Sequence, residues 1–136
     1  MQYNYDFEIA SLLIMTIILL HFVFVRQFPG EKTRVFGWLL FVCEAECLMN
    51  ILSCVGLANA ALVPQRLNEV LAFAFFVLEG ASSYLIYRYF MAACALRGRE
   101  RTVFAAAGMI PFAVFLVLVA VTPVTGFFYY FRDGSY

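Results

Sequence analysis

The amino-acid sequence predicts an all-helical integral membrane protein, a bundle of four transmembrane helices formed by a single domain over residues 1–136. Hydrophobic residues make up 65% of the chain and charged residues only 13%, whereas typical soluble domains have about half and about a quarter, respectively. The apolar residues lie in four long runs, and the basic residues gather at two of the connections between them. A water-soluble fold of this size could not bury so much apolar surface.

Each of the four runs has the length, or nearly the length, of a membrane-crossing helix. Backbone groups in hydrocarbon must pair within their own segment, and the alternating pattern of a barrel strand is absent, so the runs are predicted to be helices. Pro64 is expected to end the second helix. The predicted spans cover approximately residues 9–25, 35–63, 67–89 and 103–122.

The distribution of basic residues predicts the orientation, because cytoplasmic connections carry an excess of Lys and Arg. Seven of the nine basic residues lie in or beside the first and third connections, and they are Arg26, Lys32, Arg34, Arg88, Arg97, Arg99 and Arg101. The other two, Arg66 and Arg132, lie towards the opposite side of the membrane. We therefore expect the N-terminus outside the cell, and four crossings return the C-terminus to the same side.

No motif predicts catalysis or cofactor binding. The net charge is zero, which gives no indication of a nucleic-acid partner. The chain contains no nucleophile elbow, phosphate loop, paired metal motif or Rossmann fingerprint. The expected partner is the lipid bilayer, and no catalytic residue or cofactor is predicted.

Three carboxylates fall near the expected midplane of the membrane, where an ionisable group costs roughly 2.5–3.5 kcal/mol on insertion scales. Glu44 and Glu46 are separated by about 200° around a helix, so they face different neighbours. Glu46 lies beside a polar stripe that contains Asn50, and Glu79 is one turn from Ser83, which is one turn from Tyr87. The candidate intramembrane polar site therefore comprises Glu44, Glu46, Asn50, Glu79, Ser83 and Tyr87.

These polar residues are compatible with three interpretations. They can hydrogen-bond at helix contacts, form a sensory or ligand pocket, or serve proton or ion transport. Cys43 and Cys47 share a helix face and could bind a soft cation. No second cysteine pair completes a tetrahedral site, and the single histidine, His21, lies on another helix, so no metal site is predicted.

The order of the segments resembles a known arrangement. A basic turn, RQFPGEKTRVFGWLLF, precedes a polar second helix, CEAECLMNILSCVGL, and a third helix, LNEVLAFAFFVLEGASSYLIYRYF; the chain exits through TPVTGFFYYFRDGSY. This resembles the N-terminal multi-span sensory region of bacterial signalling proteins that end in a GGDEF diguanylate cyclase domain. It is also similar to the seven-span N-terminal region of some histidine kinases.

The resemblance implies a sensory input module in the bacterial plasma membrane, responding to an unidentified small-molecule or membrane signal. No GGDEF sequence or phosphoacceptor segment is present, so no family catalytic residue can be carried over and no enzymatic activity is expected of this chain. Four spans would end outside, so we expect the front part of a longer sensor, which could form a homodimer through its output domain. The alternative is a small four-helix transporter working as an oligomer, although the first helix offers only Thr16 and His21 rather than a carboxylate.

The predicted orientation can be tested with single cysteines introduced by Asn4→Cys and Gly134→Cys in a cysteine-free background. A membrane-impermeant thiol reagent applied to intact cells should label both, because both ends are expected outside. Labelling of either position only after permeabilisation would contradict the predicted topology.

Overall fold

The computed structural model describes residues 6–25, 30–59, 62–94, 96 and 98–128, and these residues form four α-helices without a strand. The predicted all-helical fold class is therefore confirmed. In chain order the helices are α1 Asp6–Phe24, α2 Glu31–Ala58, α3 Gln65–Ala93 and α4 Gly98–Thr125. Three of the basic residues used for the orientation, Arg26, Arg97 and Arg132, lie outside the described residues.

Three of these helices, α2, α3 and α4, are long and apolar enough to cross a membrane by length and composition. The fourth, α1, has a shorter apolar stretch, Ile9–Phe24. Its 19 residues extend about 28 Å at 1.5 Å per residue, close to the thickness of the hydrocarbon core. The structure thus supports a membrane protein with three such helices, and a fourth crossing by α1 stays a prediction.

The turn between α2 and α3 begins earlier than predicted. Helix α2 ends at Ala58, five residues before Val63, because Asn59 closes it. The Asn59 side-chain amide donates to the Val55 carbonyl at 2.9 Å, and the Asn59 carbonyl accepts from the backbone of Leu62 at 2.8 Å. Pro64 is the N-cap of α3 rather than the residue that stops α2. The remaining helices extend a few residues beyond the predicted spans at one or both ends.

The four helices lie side by side in the order of the chain. Helix α2 packs against α1 and α3, and α3 packs against α2 and α4. Within the described residues, α1 has no such backbone packing with α3 or α4, and α2 has none with α4. The predicted bundle is therefore an open, antiparallel row. We call the end where α2 and α4 begin the basic end, and the end with the Asn59–Pro64 connection the turn end.

The outer surfaces of the row are apolar. Phe24 is 80% exposed, Trp38 59% and Val124 88%. A soluble protein rarely leaves such large apolar side chains uncovered over whole helix faces. In a bilayer the lipid chains cover them without cost. The distribution of exposed residues thus agrees with a membrane environment.

Glycines receive aromatic side chains from the neighbouring helix. A Cβ atom on Gly37 of α2 would lie 2.8 Å from the Phe22 ring of α1, and one on Gly80 of α3 would lie 2.6 Å from the Phe115 ring of α4. A Cβ on Gly108 of α4 would overlap the ring of Tyr87 in α3. Small residues of this kind permit close helix approach where lipid provides no hydrophobic driving force between helices.

The Gly80 contact predicts that Gly80→Ala destabilises the protein, although the same substitution stabilises most helices. In an open helix position Gly→Ala stabilises by roughly 0.5–1 kcal/mol, but Gly80→Ala should lower the thermal unfolding temperature in detergent because the added methyl meets the Phe115 ring. Overpacking of this kind typically costs about 1–3 kcal/mol.

The matched control is the double variant Gly80→Ala with Phe115→Ala, compared with Phe115→Ala alone. In the absence of the ring, Gly80→Ala should be neutral or stabilising. An equal effect of Gly80→Ala in both backgrounds would contradict the packing.

Candidate functional site

The six polar residues singled out from the sequence are divided among three places in the row. Glu44 faces α1, and Glu46 faces α3. Asn50 lines a small cavity between α2 and α3. The remaining three, Glu79, Ser83 and Tyr87, line one groove between α3 and α4. The set therefore does not form a single site.

The first place is the contact between α1 and α2. The Thr16 hydroxyl donates a hydrogen bond to Glu44 Oε1 at 2.5 Å. Thr16 also lies 2.8 Å from the Leu12 carbonyl oxygen of its own helix. The second carboxyl oxygen of Glu44, Oε2, is buried and has no hydrogen-bond partner among the described residues. This contact explains the position of Glu44 as a link between two helices.

The second place is the contact between α2 and α3. The Glu46 carboxyl group faces the Ser82 hydroxyl across the interface, and it lies within electrostatic range of Glu79. Ser82 is buried, and its hydroxyl donates to the Glu79 carbonyl oxygen of its own helix at 2.9 Å. Glu44 and Glu46, two residues apart, thus contact the helices on opposite sides of α2, as their angular separation on a helix requires.

The third place is a groove of about 600 Å³ between α3 and α4, which we call the α3–α4 groove. On α3 the Glu79 carboxyl group is exposed along this groove. Its volume falls within the roughly 300–1,000 Å³ of typical small-molecule sites. The lining residues are Glu79, Gly80, Ser83, Tyr84, Tyr87, Phe104, Ala107, Gly108, Pro111, Phe112 and Phe115.

Two tyrosines hold the α3–α4 groove in shape. The Tyr84 ring stacks on the Phe112 ring with centroids 4.9 Å apart and planes inclined by 14°. The Tyr87 hydroxyl donates to the Phe104 carbonyl oxygen at 2.5 Å. Gly108 opens the space that the Tyr87 ring fills. Both contacts cross from α3 to α4, so a ligand in the groove would press on residues that join the two helices.

Pro111 interrupts the backbone hydrogen bonding of α4 beside the groove. Proline has no backbone N–H, so the carbonyl of the residue four positions earlier, Ala107, cannot receive its usual helical hydrogen bond. Both residues line the groove within the continuous helix α4. The lining of the groove therefore combines aromatic rings with the side chains of Glu79 and Ser83.

An ion-pair cluster lies next to the groove at the basic end. The Glu31 carboxylate of α2 pairs with Arg101 of α4 at 2.5 Å and with Arg88 of α3 at 3.7 Å. The Arg88 guanidinium also lies over the Tyr84 ring, 6.0 Å from its centroid, and donates to the Tyr84 hydroxyl at 3.4 Å. A chain of contacts therefore leads from the groove through Tyr84 to the ends of three helices.

The sequence reasoning did not identify this cluster or the aromatic wall of the groove. Glu31 and Arg101 are 70 residues apart, and no local pattern pairs them. The spacing of four between Tyr84 and Arg88 was a usable signal, because residues i and i+4 lie on the same helix face. Phe104, Phe112 and Phe115 are not distinguishable in the sequence from lipid-facing residues of α4.

The cysteine and histidine residues do not form a metal site in the described part of the chain. No group of three His, Cys, Asp or Glu side chains there lies close enough together to hold a metal ion. Cys43 and Cys47 are half-buried on α2, and no cysteine described forms a disulfide. His21 is exposed in the last turn of α1.

Comparisons with protein families, with curated proteins and with solved structures find no match for this chain.

Proposed function

We propose that the chain is a membrane-embedded sensory module that binds an amphipathic cation in the α3–α4 groove. The lining of the groove supports this proposal most directly. It places one carboxylate, Glu79, among the rings of Tyr84, Tyr87, Phe112 and others, between two largely apolar helices. A largely apolar cavity with a few convergent polar groups is the usual form of a small-molecule site.

The chemistry of the groove favours a cation with an apolar body. A carboxylate at membrane depth is costly unless a partner of opposite charge neutralises it. Among the described residues Glu79 interacts with a second carboxyl group, Glu46, and forms no ion pair with a basic side chain. Aromatic faces attract cations within about 6 Å of the ring centroid, and they also pack against hydrocarbon. A cationic ligand would therefore bind the Glu79 carboxylate and the tyrosine rings together.

The contacts at the basic end provide a route for the response. A ligand that displaces the Tyr84 ring also disturbs the Arg88 guanidinium above it. Arg88 shares the Glu31 carboxylate with Arg101, so the change reaches the first turns of α2 and α4. The proposed signal is a movement of these helix ends relative to one another.

The proposed class of protein follows from the resemblance of the sequence to the sensory regions of bacterial signalling proteins. We propose a non-enzymatic input region in the plasma membrane of a bacterium, belonging to a signalling protein of the type that carries a diguanylate cyclase domain. In this proposal the chain crosses the membrane four times with its N-terminus outside. The basic residues at one end of the row, among them Lys32, Arg34 and Arg99, favour the cytoplasmic side for that end.

A small transporter working as an oligomer is the second candidate. The observation that favours it is the proximity of two intramembrane carboxyl groups, Glu46 on α2 and Glu79 on α3. Carboxyl pairs at membrane depth are typical of proton relays in transporters. The two candidates differ in whether the bound cation crosses the membrane.

The proposed site predicts that tetraphenylphosphonium, an apolar cation, binds the purified protein in nanodiscs. Glu79→Gln should weaken binding at least about tenfold, equivalent to roughly 1.4 kcal/mol, because it removes the charge while keeping the size of the side chain. The matched control is Glu69→Gln, on the same helix, where the carboxylate instead accepts from Gln65 at 2.8 Å outside the groove.

Equal affinity of the wild type and Glu79→Gln for tetraphenylphosphonium, or an equal loss of affinity in both variants, would contradict the proposed site.

An experiment in proteoliposomes distinguishes the sensory function from the transporter function. A sensory module should bind tetraphenylphosphonium without accumulating it in the vesicles, whereas uptake driven by an imposed pH gradient and abolished by Glu79→Gln would favour the transporter.

A further inference from the structure

A second groove lies between α1 and α2 at the basic end of the row. Its volume is about 870 Å³, and no residue that lines it also lines the α3–α4 groove. Residues of both helices form its walls. Those that carry the argument are Leu19, Val23, Thr33, Arg34, Trp38 and Phe41. We call it the α1–α2 groove.

The α2 wall of this groove changes from charged to aromatic along the helix. Arg34 lies in the first turn of α2, and Trp38 follows it by one turn on the same helix face. Phe41 lies beyond Trp38, and the two rings meet edge to face with centroids 6.2 Å apart. From Arg34 to Phe41 the wall extends about 10 Å at 1.5 Å per residue. A positive charge therefore lies at the end of the groove, and aromatic rings lie deeper.

The α1 wall of the groove is apolar. Val23 lies nearest the basic end and is exposed, and Leu19 lies one turn further along α1 and is half-buried. The Phe22 ring packs where a Cβ on Gly37 would lie, and so joins the two helices beside the groove. In a membrane, hydrocarbon chains cover apolar walls of this kind.

The charge of Arg34 is not compensated within the described part of the chain. Its side chain is exposed and forms no ion pair there. Glu31 also lines the groove, but its carboxylate pairs with Arg101 and Arg88 instead. The adjacent Thr33 lines the groove too, and its hydroxyl is a hydrogen-bond donor. The end of the groove thus presents a cation and a donor to an anion.

We propose that the α1–α2 groove binds one anionic phospholipid, with its phosphate at Arg34 and Thr33 and an acyl chain along Trp38 and Phe41. A guanidinium group matches a phosphate with two parallel hydrogen bonds. Basic pockets between transmembrane helices bind anionic headgroups, and tryptophan is enriched at headgroup level. A zwitterionic lipid gains less, because its own cation already accompanies the phosphate. A free phosphate would leave the aromatic wall uncovered.

The inference requires that the row lies in a membrane, but it does not require a cation in the α3–α4 groove. The two sites have separate linings, so either can fail without the other. The occupant of the α1–α2 groove would contact Thr33 and Arg34 in the first turn of α2, which also contains Glu31 of the ion-pair cluster. Bound lipid would therefore hold the basic end of α2 at the membrane surface.

The native fluorescence of Trp38 provides the test, because Trp38 is the single tryptophan of the chain and lines the groove. The full chain is reconstituted in phosphatidylcholine bilayers that contain a small fraction of phosphatidylglycerol with brominated acyl chains, which quench tryptophan on contact. The comparison uses the same fraction of brominated phosphatidylcholine. The quenching should give a relative affinity at least about fivefold higher for phosphatidylglycerol, equivalent to roughly 1 kcal/mol, which is the contribution expected of one basic residue.

Two variants locate the site. Arg34→Gln should remove the preference for phosphatidylglycerol, because it removes the charge at the end of the groove. Lys32→Gln is the matched control, since Lys32 is also exposed in the first turn of α2 but does not line this groove. The preference should persist in Lys32→Gln.

Equal quenching by the two brominated lipids in the wild type would overturn the proposal, and this comparison needs no substitution. An equal loss of preference in Arg34→Gln and Lys32→Gln would also overturn it, because it would show diffuse attraction to a charged surface. Recovery of Trp38 fluorescence on adding glycerol 3-phosphate would show a site for free phosphate rather than for a lipid.

Discussion

The structure depends on one constraint, that the two carboxyl groups in the middle of α2 need polar side chains on the neighbouring helices. Hydrocarbon offers no such partner. On α2, Glu44 accepts a hydrogen bond from Thr16 of α1, and Glu46 faces Ser82 of α3. Because these two glutamates lie on different faces of one helix, α2 is held between α1 and α3.

The packing of aromatic rings against glycines determines how closely the adjacent helices approach each other. Gly37, Gly80 and Gly108 each accommodate a ring from the adjacent helix. Between α3 and α4 this packing joins the two helices through Tyr87 while leaving an open groove beside Glu79. The same residues therefore stabilise the helix pair and define its ligand-sized space. A ligand that alters these contacts would change the relation of α4 to the rest of the row.

The sequence predicted the elements well and their assembly only in part. Long apolar runs between charged residues were sufficient to identify four helices, because the helix is the solution that satisfies its own backbone in lipid. The angular separation of Glu44 and Glu46 also indicated that they face different neighbours. The end of α2 was wrong, since the capping amide of Asn59 acts before Pro64.

Other features could not be predicted from individual segments of the sequence. The open row was not predicted, because the periodicity of an apolar helix does not distinguish a face that contacts protein from one that contacts lipid. For the same reason Phe104 and Phe112 gave no signal as groove residues. The pairing of Glu31 with Arg101 depends on how three helix ends meet, and therefore on the tertiary structure.

We propose that occupation of the α3–α4 groove is transmitted to the basic end through Tyr84 and Arg88. The most direct test is the distance between spin labels introduced by Lys32→Cys and Arg99→Cys, both exposed positions, in a cysteine-free background. Saturating tetraphenylphosphonium should shift this distance by about 2 Å or more, and Glu79→Gln should abolish the shift. An unchanged distance distribution in a protein that has bound the cation would contradict the sensory account.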